Sequence, residues 1–583
     1  MSLLDGISPG YSRTALIDGR LVWLLEIEYA GAIWRWSSRP VEVVGDAGTF
    51  VFPGGLDDLN MEDSLAIVGD AGDERSVSLS ILWPSPGVAL LIQRGHDLAA
   101  AIGQLSLWME GETYESRMVV IQGLLSQPEY EHPDQPVSFT LTELPMDDLA
   151  SIVAPEAQVD EVTWPTAPVS ATNQRYPCPF FGAAASARRA PGGEAVGLSP
   201  AYPLDLVTGE VHTLVISAYP VAATTITLGT VVDNVYDTTV RTVTESKDYL
   251  GRQVYTVDIS AASATFKKAA AWFVTDWNEG GVLANIAGGG RPVTTAGDLM
   301  FWLAQRSSVR VDLARFASVA GYLNWPIEAY VDEQASPIGW MVDRLLPILP
   351  VSLASGPGGL QPILWRYDAR REDAVEHLVN GENCARVGAV AYSAKPADLV
   401  QRIVLDYGWD AGNQDYTKHM IAEPLPAGPP PVDPAILLAL PGSPTYIPDP
   451  RKVHNAFLRG GASRYADWDS RRWRSINIES DLIGSDLTAA RVLAWKCRQL
   501  GTSPRLVEYD VGQELAWLEL GAVVLLTDDE VAISETVALV IGRVMSDTGI
   551  WRFKLQILDD AVTARAVDPS LSQDTPPTWT AAQ

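Results

Sequence analysis

The chain has 583 residues, of which 47% are hydrophobic and 20% charged, a composition typical of a globular protein with several domains. Its 42 basic and 72 acidic residues give a formal net charge of −30, which disfavours binding to nucleic-acid phosphates. Three widely spaced cysteines do not form a disulfide framework. We expect no signal peptide, no integral membrane segment and synthesis in a reducing cytoplasm.

The first part of the chain predicts a β domain over residues 1–150. Six short segments between residues 20 and 144 are rich in β-branched and aromatic residues, and Gly, Pro and Asp separate them. Regularly spaced short strands indicate a sandwich or a small barrel. The acidic run LDDLNMED (56–63) lacks the alternating spacing of a calcium loop and is predicted to be a solvated loop.

A connector rich in Pro, Ala and Gly follows over residues 151–205. It contains the stretch RYPCPFFG, whose candidate structural residues are Tyr176, Pro177, Cys178, Phe180, Phe181 and Gly182. A nucleophilic Cys178 would need a basic partner or a helix N-terminus. Prolines on both sides of Cys178 instead favour an extended backbone, so the stretch is predicted to be a structural corner.

The remainder alternates between strand and helix patterns. We predict a second β domain (206–290), an α+β central module (291–410), a Pro-rich linker (411–455), a C-terminal unit of one helix and several strands (456–565) and an extended tail (566–583). In the central module, Ser336 and Pro337 predict the start of a helix. In the last unit, Ser485 or Asp486 is the predicted cap of a helix that Gly501 ends.

No motif for catalysis, cofactor binding or metal binding stands out. GISPG (6–10) matches a serine-hydrolase elbow in letters, but no strand precedes it. The six His show no metal-ligand spacing. Cys384 enters a predicted strand and Cys497 lies on an apolar helix face, so both are predicted to be core residues. We therefore predict no catalytic, metal or cofactor-binding residue.

Several segments carry a resemblance when they are taken in order. Tyr176, Pro177, Phe181 and Gly182 fit a connector motif, and residues 296–365 contain a Ser-Pro-x7-Leu-Leu helix followed by a hairpin. Leu518–Asp528 fit L-x-x-G-x-x-V-x-L-T-D, and Val540–Leu555 form a looser closing hairpin. In this order they resemble baseplate hub proteins of tailed bacteriophages, nearest to siphophages of the Mu-like and gene-transfer-agent type. Some relatives hold an iron–sulfur cluster, but the paired cysteines are missing here, so no cofactor is implied.

The resemblance implies a multidomain, mainly β fold with α+β modules. Two small, tail-tube-like β-barrel domains, from the first and last units, would be joined by the second β unit, the helical module and the Pro-rich connectors. It further implies a non-enzymatic virion protein, assembled in the host cytoplasm into a homotrimeric hub at the tail tip. Six barrels would then line the DNA ejection channel.

The same resemblance implies the partners. A distal tail protein and the tail tube would lie above the hub, and tip, spike or tail-fibre proteins below it. A tape measure protein would occupy the lumen, and DNA would pass without specific binding. The acidic charge suits such a channel, and a rearrangement on DNA ejection is a hypothesis suggested by the long connectors.

Two other classes of function stay open at this point. A cell-wall glycan hydrolase, or a glycan binder, needs two carboxylates about 5–10 Å apart beside an exposed Trp. Trp34, Trp36, Trp340, Trp473 and Trp495 are the candidates for stacking on sugar, although such residues are more often core anchors. A separate receptor-binding protein would present exposed aromatic patches on peripheral loops.

Overall fold

The structure is a computed structural model that describes 25 stretches of the chain. They are residues 21–29, 31–64, 76–82, 94, 101–129, 136–143, 149–153, 156–177, 180–182, 188–189, 195–196, 199–221, 224–232, 235–276, 282–284, 290–330, 335–356, 359–366, 369–392, 399–410, 415–422, 454–455, 474–501, 503–545 and 550–558. Strands dominate these residues, which confirms the prediction of a multidomain, mainly β fold.

The first unit is a curved antiparallel sheet in the order β2-β1-β7-β8-β9-β6-β5. A separate hairpin of β3 and β4 packs on one face of this sheet through Val43 and Phe52, which meet Val22, Leu24 and Trp108. The strands are β1 (Leu21–Tyr29), β2 (Ala32–Ser37), β3 (Val41–Gly45), β4 (Gly48–Phe52), β5 (Leu56–Ser64), β6 (Ser76–Ile81), β7 (Ile102–Met109), β8 (Met118–Leu125) and β9 (Val137–Glu143).

The acidic run at 56–63 is strand β5, so the prediction of a solvated loop there is wrong. Leu56 and Leu59 are buried in the core of the unit, and the backbone of β5 pairs with β6. Two buried leucines among acidic neighbours hold this strand, and its backbone also pairs with β32 at residues 61–64.

A closed barrel forms the second unit, with the strand order β13-β14-β17-β16-β15-β18. Its core includes Leu214, Ile216, Leu228, Val257 and Phe266. Its strands are β13 (Ser199–Pro203), β14 (Thr213–Ser217), β15 (Thr225–Val232), β16 (Val235–Lys247), β17 (Gln253–Asp258) and β18 (Trp272–Asp276), and helix α1 (Ala264–Lys267) precedes β18. Short strands precede and follow the barrel in the sequence: β10 (Phe180–Gly182), β11 (Arg188–Arg189), β12 (Ala195–Val196), β19 (Val282–Ala284) and β20 (Gly290–Pro292).

The central module contains two crossing helices and a hairpin. Its elements are α2 (Ala296–Ala304), α3 (Leu313–Tyr322), β21 (Glu328–Tyr330), α4 (Pro337–Trp340), β22 (Val351–Gly356) and β23 (Gly359–Leu364). Thr295 and Asp312 cap α2 and α3, and Ser336 caps α4 with Pro337 in its first turn, as predicted. Helix α4 continues as a π turn over Met341–Leu345 and a 3-10 turn over Leu346–Ile348.

A smaller sheet in the order β28-β27-β26-β29 packs beside the central module and against a long helix. Its strands are β26 (Arg402–Asp410), β27 (Asp415–Ala422), β28 (His454–Asn455) and β29 (Ser475–Glu479), and the helix is α5 (Asp486–Gly501). The Ser485 hydroxyl accepts from the Thr488 backbone N–H at 3.2 Å, so Ser485 is the cap of α5. Gly501 is the last helical residue, which agrees with its predicted role as a stop.

The last unit is a strongly curved set of six strands in the order β24-β31-β32-β33-β30-β25. They are β24 (Glu376–Val379), β25 (Cys384–Tyr392), β30 (Arg505–Val511), β31 (Val523–Asp528), β32 (Ile533–Met545) and β33 (Trp551–Ile557). The two outermost strands, β24 and β25, are joined by the short turn at 380–383, where Asn380 bridges to Cys384. The sheet therefore curls back on itself.

The first and last units share one sheet of 13 strands. Strand β5 pairs with β32, with Met61 opposite Met545 and Ser64 opposite Gly542. One continuous hydrophobic core contains residues of both units, from Trp23 to Ile557. Strand pairing also crosses a predicted border, because β24 and β25 join the last unit although they fall within 291–410. The exact domain borders stay predictions.

Candidate functional site

Tyr176 anchors the predicted connector against the barrel. Its side chain is only 2% exposed and packs with Ala157 and Val159 of the connector and with Leu204 and Val215 of the barrel. Its hydroxyl accepts from Trp164 Nε1 at 3.0 Å, and its backbone N–H donates to the Ala157 carbonyl at 3.0 Å. Burial raises the pKa of the Tyr176 hydroxyl, so the group stays neutral and serves as a hydrogen-bonding core residue.

The next residues carry the chain from the barrel to the central module. The Pro177 carbonyl accepts from the Ala218 backbone N–H at 2.8 Å, which fixes the connector beside the end of β14. Cys178 lies outside the residues that the structure describes, so the prediction that it is a small structural residue stays a prediction.

Phe181 enters a different core from Tyr176. In β10, Phe181 pairs with Ala329 of β21, and its neighbours Phe180 and Gly182 pair with Tyr330 and Glu328. The Phe181 side chain is fully buried in the core of the central module. The connector therefore links the barrel core to the central core within a few residues.

Trp302 of helix α2 contacts both the connector and the segment that follows barrel strand β14. The Phe181 ring contacts the Trp302 ring edge-on, with centroids 4.7 Å apart, and the Tyr219 ring does so from another side at 5.2 Å. The Arg306 guanidinium lies over the Trp302 ring at 3.7 Å. Tyr219 follows barrel strand β14, and its hydroxyl donates to the Ile152 carbonyl. We call Phe181, Tyr219, Trp302 and Arg306 the aromatic clamp.

The clamp holds parts of the connector, the barrel and helix α2 together. Its rings contact each other in the edge-on geometry that aromatic pairs prefer, and the Arg306 contact adds a cation–π interaction. Sequence patterns missed Tyr219, Trp302 and Arg306 because each resembles an ordinary strand-end or helix residue. The local signal is the apolar spacing of DLMFWLAQRSSV (298–309), which is typical of a helix.

A second cluster of titratable groups surrounds Asp528 in the last unit. The Asp528 carboxylate is buried and accepts from the Tyr509 hydroxyl at 2.8 Å and from Asn380 Nδ2 at 3.2 Å, and it pairs with Arg386 Nε at 3.0 Å. Burial, together with the nearby Asp528 charge, raises the pKa of the Cys384 thiol to about 12. Cys384 is therefore a neutral core thiol, and the cluster joins β25, β30 and β31.

The burial of the tryptophans is relevant to a glycan-binding site, and the grouping of His, Cys, Asp and Glu is relevant to a metal site. Every Trp whose burial the structure describes is buried or half-buried, including Trp36, Trp340 and Trp495; Trp473 lies outside the described residues. Over the same part of the chain, no group of three or more His, Cys, Asp or Glu could hold a metal ion. No helix described here is long and apolar enough to cross a membrane.

Comparison with known proteins gives distant likenesses only. No family model matches the chain, and no curated protein matches it. A prophage tail protein from Shewanella oneidensis is 9% identical, with a TM-score of 0.35 over 92% of this chain and 98% of that chain. A tail protein from Neisseria meningitidis is 9% identical, with a TM-score of 0.37 over 94% and 99%.

One chain in the structure of a native gene transfer agent virion is also similar. It is 11% identical, with a TM-score of 0.35 over 68% of this chain and 87% of that chain. The chain is thus distantly similar to phage tail proteins and to a virion component, over two thirds or more of its length.

Proposed function

We propose that this chain is a structural, non-enzymatic protein of a phage tail, and that it forms the hub at the tail tip. The observation that carries the proposal is the joining of the first and last units in one sheet through β5 and β32. The hub resemblance implies two β units side by side in each subunit, and the chain places its two terminal units in direct contact.

The connector supports a mechanical role. A hub must hold its β units at fixed positions while the tail carries load, and Tyr176, Pro177 and Phe181 tie the barrel to the central module through two buried cores. We assign the predicted connector residues, including Cys178, Phe180 and Gly182, to this structural task. Such a role depends on large packed interfaces rather than on a reactive group.

In the assembled hub, three copies would bring six β units around a central channel. The distal tail protein and tail tube would contact one side, and tip, spike or fibre proteins the other. A tape measure protein would occupy the lumen before ejection. The net charge of −30 would repel DNA phosphates, so DNA would pass through without specific binding.

A glycan hydrolase fits the described residues less well. Asp373 and Glu519 line the cavity beside helix α3, but Asp373 pairs with Arg366 and Glu519 pairs with Arg315. Backbone hydrogen bonding at Arg370, with the Arg366 charge, lowers the pKa of Asp373. A general acid needs the opposite shift because it must hold its proton near neutral pH.

The mass of the purified protein in solution tests the proposal. We expect a particle of three times the 63.0 kDa mass of one chain, measured by light scattering or native mass spectrometry. A strict monomer over the accessible concentration range would contradict the trimeric hub. Clearing of cell-wall substrate by the pure protein would contradict the non-enzymatic role.

A further inference from the structure

A cavity of about 330 Å³ opens between helix α3 of the central module and the turn that leads into β31. Tyr322 and Val375 stand at this cavity and are 41% and 44% exposed, and Trp517 forms part of its wall. Pockets near this volume are at the small end of those that hold a ligand. The cavity is therefore large enough for one or two side chains.

The charges inside this cavity are paired with each other. Arg315 pairs with Glu519, and Arg366 pairs with Asp373 at 3.2 Å while its guanidinium lies 5.1 Å from the centroid of the Tyr322 ring. A charged ligand would have to replace one member of a pair, at a cost in desolvation and lost attraction. An uncharged aromatic or aliphatic group leaves both ion pairs in place and can pack on Tyr322, Val375 and Trp517.

A rigid apolar turn lies on another surface of the same chain. Tyr249 and Leu250, between β16 and β17, are 55% and 52% exposed. The Asp248 carboxylate accepts from the backbone N–H groups of Leu250 and Arg252 at 3.0 and 2.8 Å, and from Arg252 Nε at 2.7 Å. The Tyr249 N–H donates to Thr163 Oγ1 at 2.9 Å.

These bonds fix the backbone while the two apolar side chains stay in solvent. Large exposed apolar side chains on a fixed turn are typical of interface anchors, because little conformational entropy is lost on binding. The tip of the turn carries no charge, which matches a cavity whose charges are already paired.

We propose that the Tyr249–Leu250 turn of one copy inserts into the α3 cavity of a second copy. The turn and the cavity are different surfaces of one chain, so the contact is head-to-tail, and head-to-tail contacts close into rings when the rotation permits. This inference rests on the proposed ring-shaped hub and names the contact that would hold neighbouring copies together.

Photo-crosslinking tests the contact directly in the full-length protein. With p-benzoylphenylalanine in place of Tyr249, we expect crosslinks between copies that map by mass spectrometry to residues 313–323 or 517–523. Crosslinks that join copies only at other segments would overturn the inference.

Association measurements give a second readout. The double variant Tyr249→Ala with Leu250→Ser, and separately the cavity-filling variant Val375→Trp, should each weaken association by about tenfold or more. The control is Val240→Ser, since Val240 is 60% exposed on the same barrel and should not change association. Circular dichroism checks that each variant is folded.

The results distinguish the proposed turn-and-cavity contact from the proposed trimeric hub. A stable trimer that both variants leave unchanged would overturn the turn-and-cavity contact but not the hub. A wild-type protein that stays monomeric at all concentrations would overturn both.

Discussion

Tyr176 and Phe181 lie five positions apart in sequence and enter different hydrophobic cores. Tyr176 packs against the barrel, and Phe181 packs against Trp302 of the central module. A short stretch of backbone therefore fixes the barrel and the central module relative to each other. Because both side chains are almost fully buried, truncating either one leaves a cavity, whereas removing the Tyr176 hydroxyl costs only one hydrogen bond.

We expect Tyr176→Phe to lower the free energy of unfolding by about 1 kcal/mol and Tyr176→Ala by about 3–5 kcal/mol. Thermal denaturation of the purified variants measures the difference. The control is Tyr392→Ala, because Tyr392 is 65% exposed and should have little effect. Equal effects of the two alanine variants would show that Tyr176 does not anchor the connector.

Cys384 should be unreactive in the folded protein. With a thiol pKa near 12, only about one thiol in 10,000 is ionised at pH 8, and the side chain is buried. Iodoacetamide at pH 8 should modify Cys384 only after denaturation, and peptide mapping by mass spectrometry reads this out. Rapid labelling of Cys384 in the native protein would be inconsistent with a structural thiol.

The burial of Lys496 should make the stability of the folded protein depend on pH. It is buried on α5, its Nζ donates to Gln499 Oε1 at 3.1 Å, and burial lowers the pKa of its ammonium group from 10.5 to about 8. Between pH 8 and 10.5 the unfolded chain binds more protons at this site than the folded chain does. The contribution of Lys496 to stability therefore rises with pH across this window.

Lys496→Met should accordingly stabilise the protein at pH 7, by up to about 3 kcal/mol. The advantage of the variant over wild type should shrink as the pH rises from 8 to 10.5. Lys554→Met, at an exposed position, serves as the control and should show no such trend. A constant difference at all pH values would mean that Lys496 does not titrate in this way.

At the scale of elements, helices α2 and α3 cross at a glycine. A Cβ at Gly297 would lie 2.4 Å from the Ala320 carbonyl oxygen and 2.7 Å from the Ala320 Cα, both backbone atoms. The helices can approach this closely only because Gly297 has no side chain. The position of Trp302, five residues further along α2, depends on the same crossing.

Gly297→Ala should therefore destabilise the protein by about 1–3 kcal/mol, since the helices must move apart. The matched control is Gly321→Ala in α3, where an added Cβ meets no atom within 4 Å. That change should be neutral or stabilising by about 0.5–1 kcal/mol. Thermal melts of both variants check the prediction, and identical melting temperatures would contradict it.

The sequence pattern predicted those strands and helices whose structure depends mainly on their own residues. Strand β1 shows its β-branched and aromatic run, and α5 shows its Ser485 cap and its Gly501 stop. Strand β16 is missed because its Thr-rich sequence lacks a clear apolar face, and β5 because most of its side chains are acidic. Both strands are held by backbone pairing to neighbours on each side, which no local pattern records.

The candidate site could likewise be predicted only in part from the sequence. Prolines and aromatic residues around residues 176–182 indicated a fixed connector, but its partners Tyr219, Trp302 and Arg306 come from separate elements. The Asp528 cluster likewise joins residues 380–386 to Tyr509 and Asp528, more than 120 positions later in the chain. Such contacts are set by the fold, so the residues that complete them could not be identified from spacing.

At the scale of the whole molecule, the pairing of β5 with β32 has the largest consequence. It joins residues 61–64 to residues 542–545, so the chain returns to its starting unit after passing through the barrel and the central module. A core that contains residues of both terminal units accompanies this pairing. This arrangement is what a ring of paired β units requires of each subunit.

Cryo-electron microscopy of intact phage particles that carry this chain would show whether it forms the hub. We expect three copies around the tail axis at the distal tip, each placing its first and last units beside the channel. Density for the chain only on peripheral fibres, or in a copy number other than three on the axis, would contradict it.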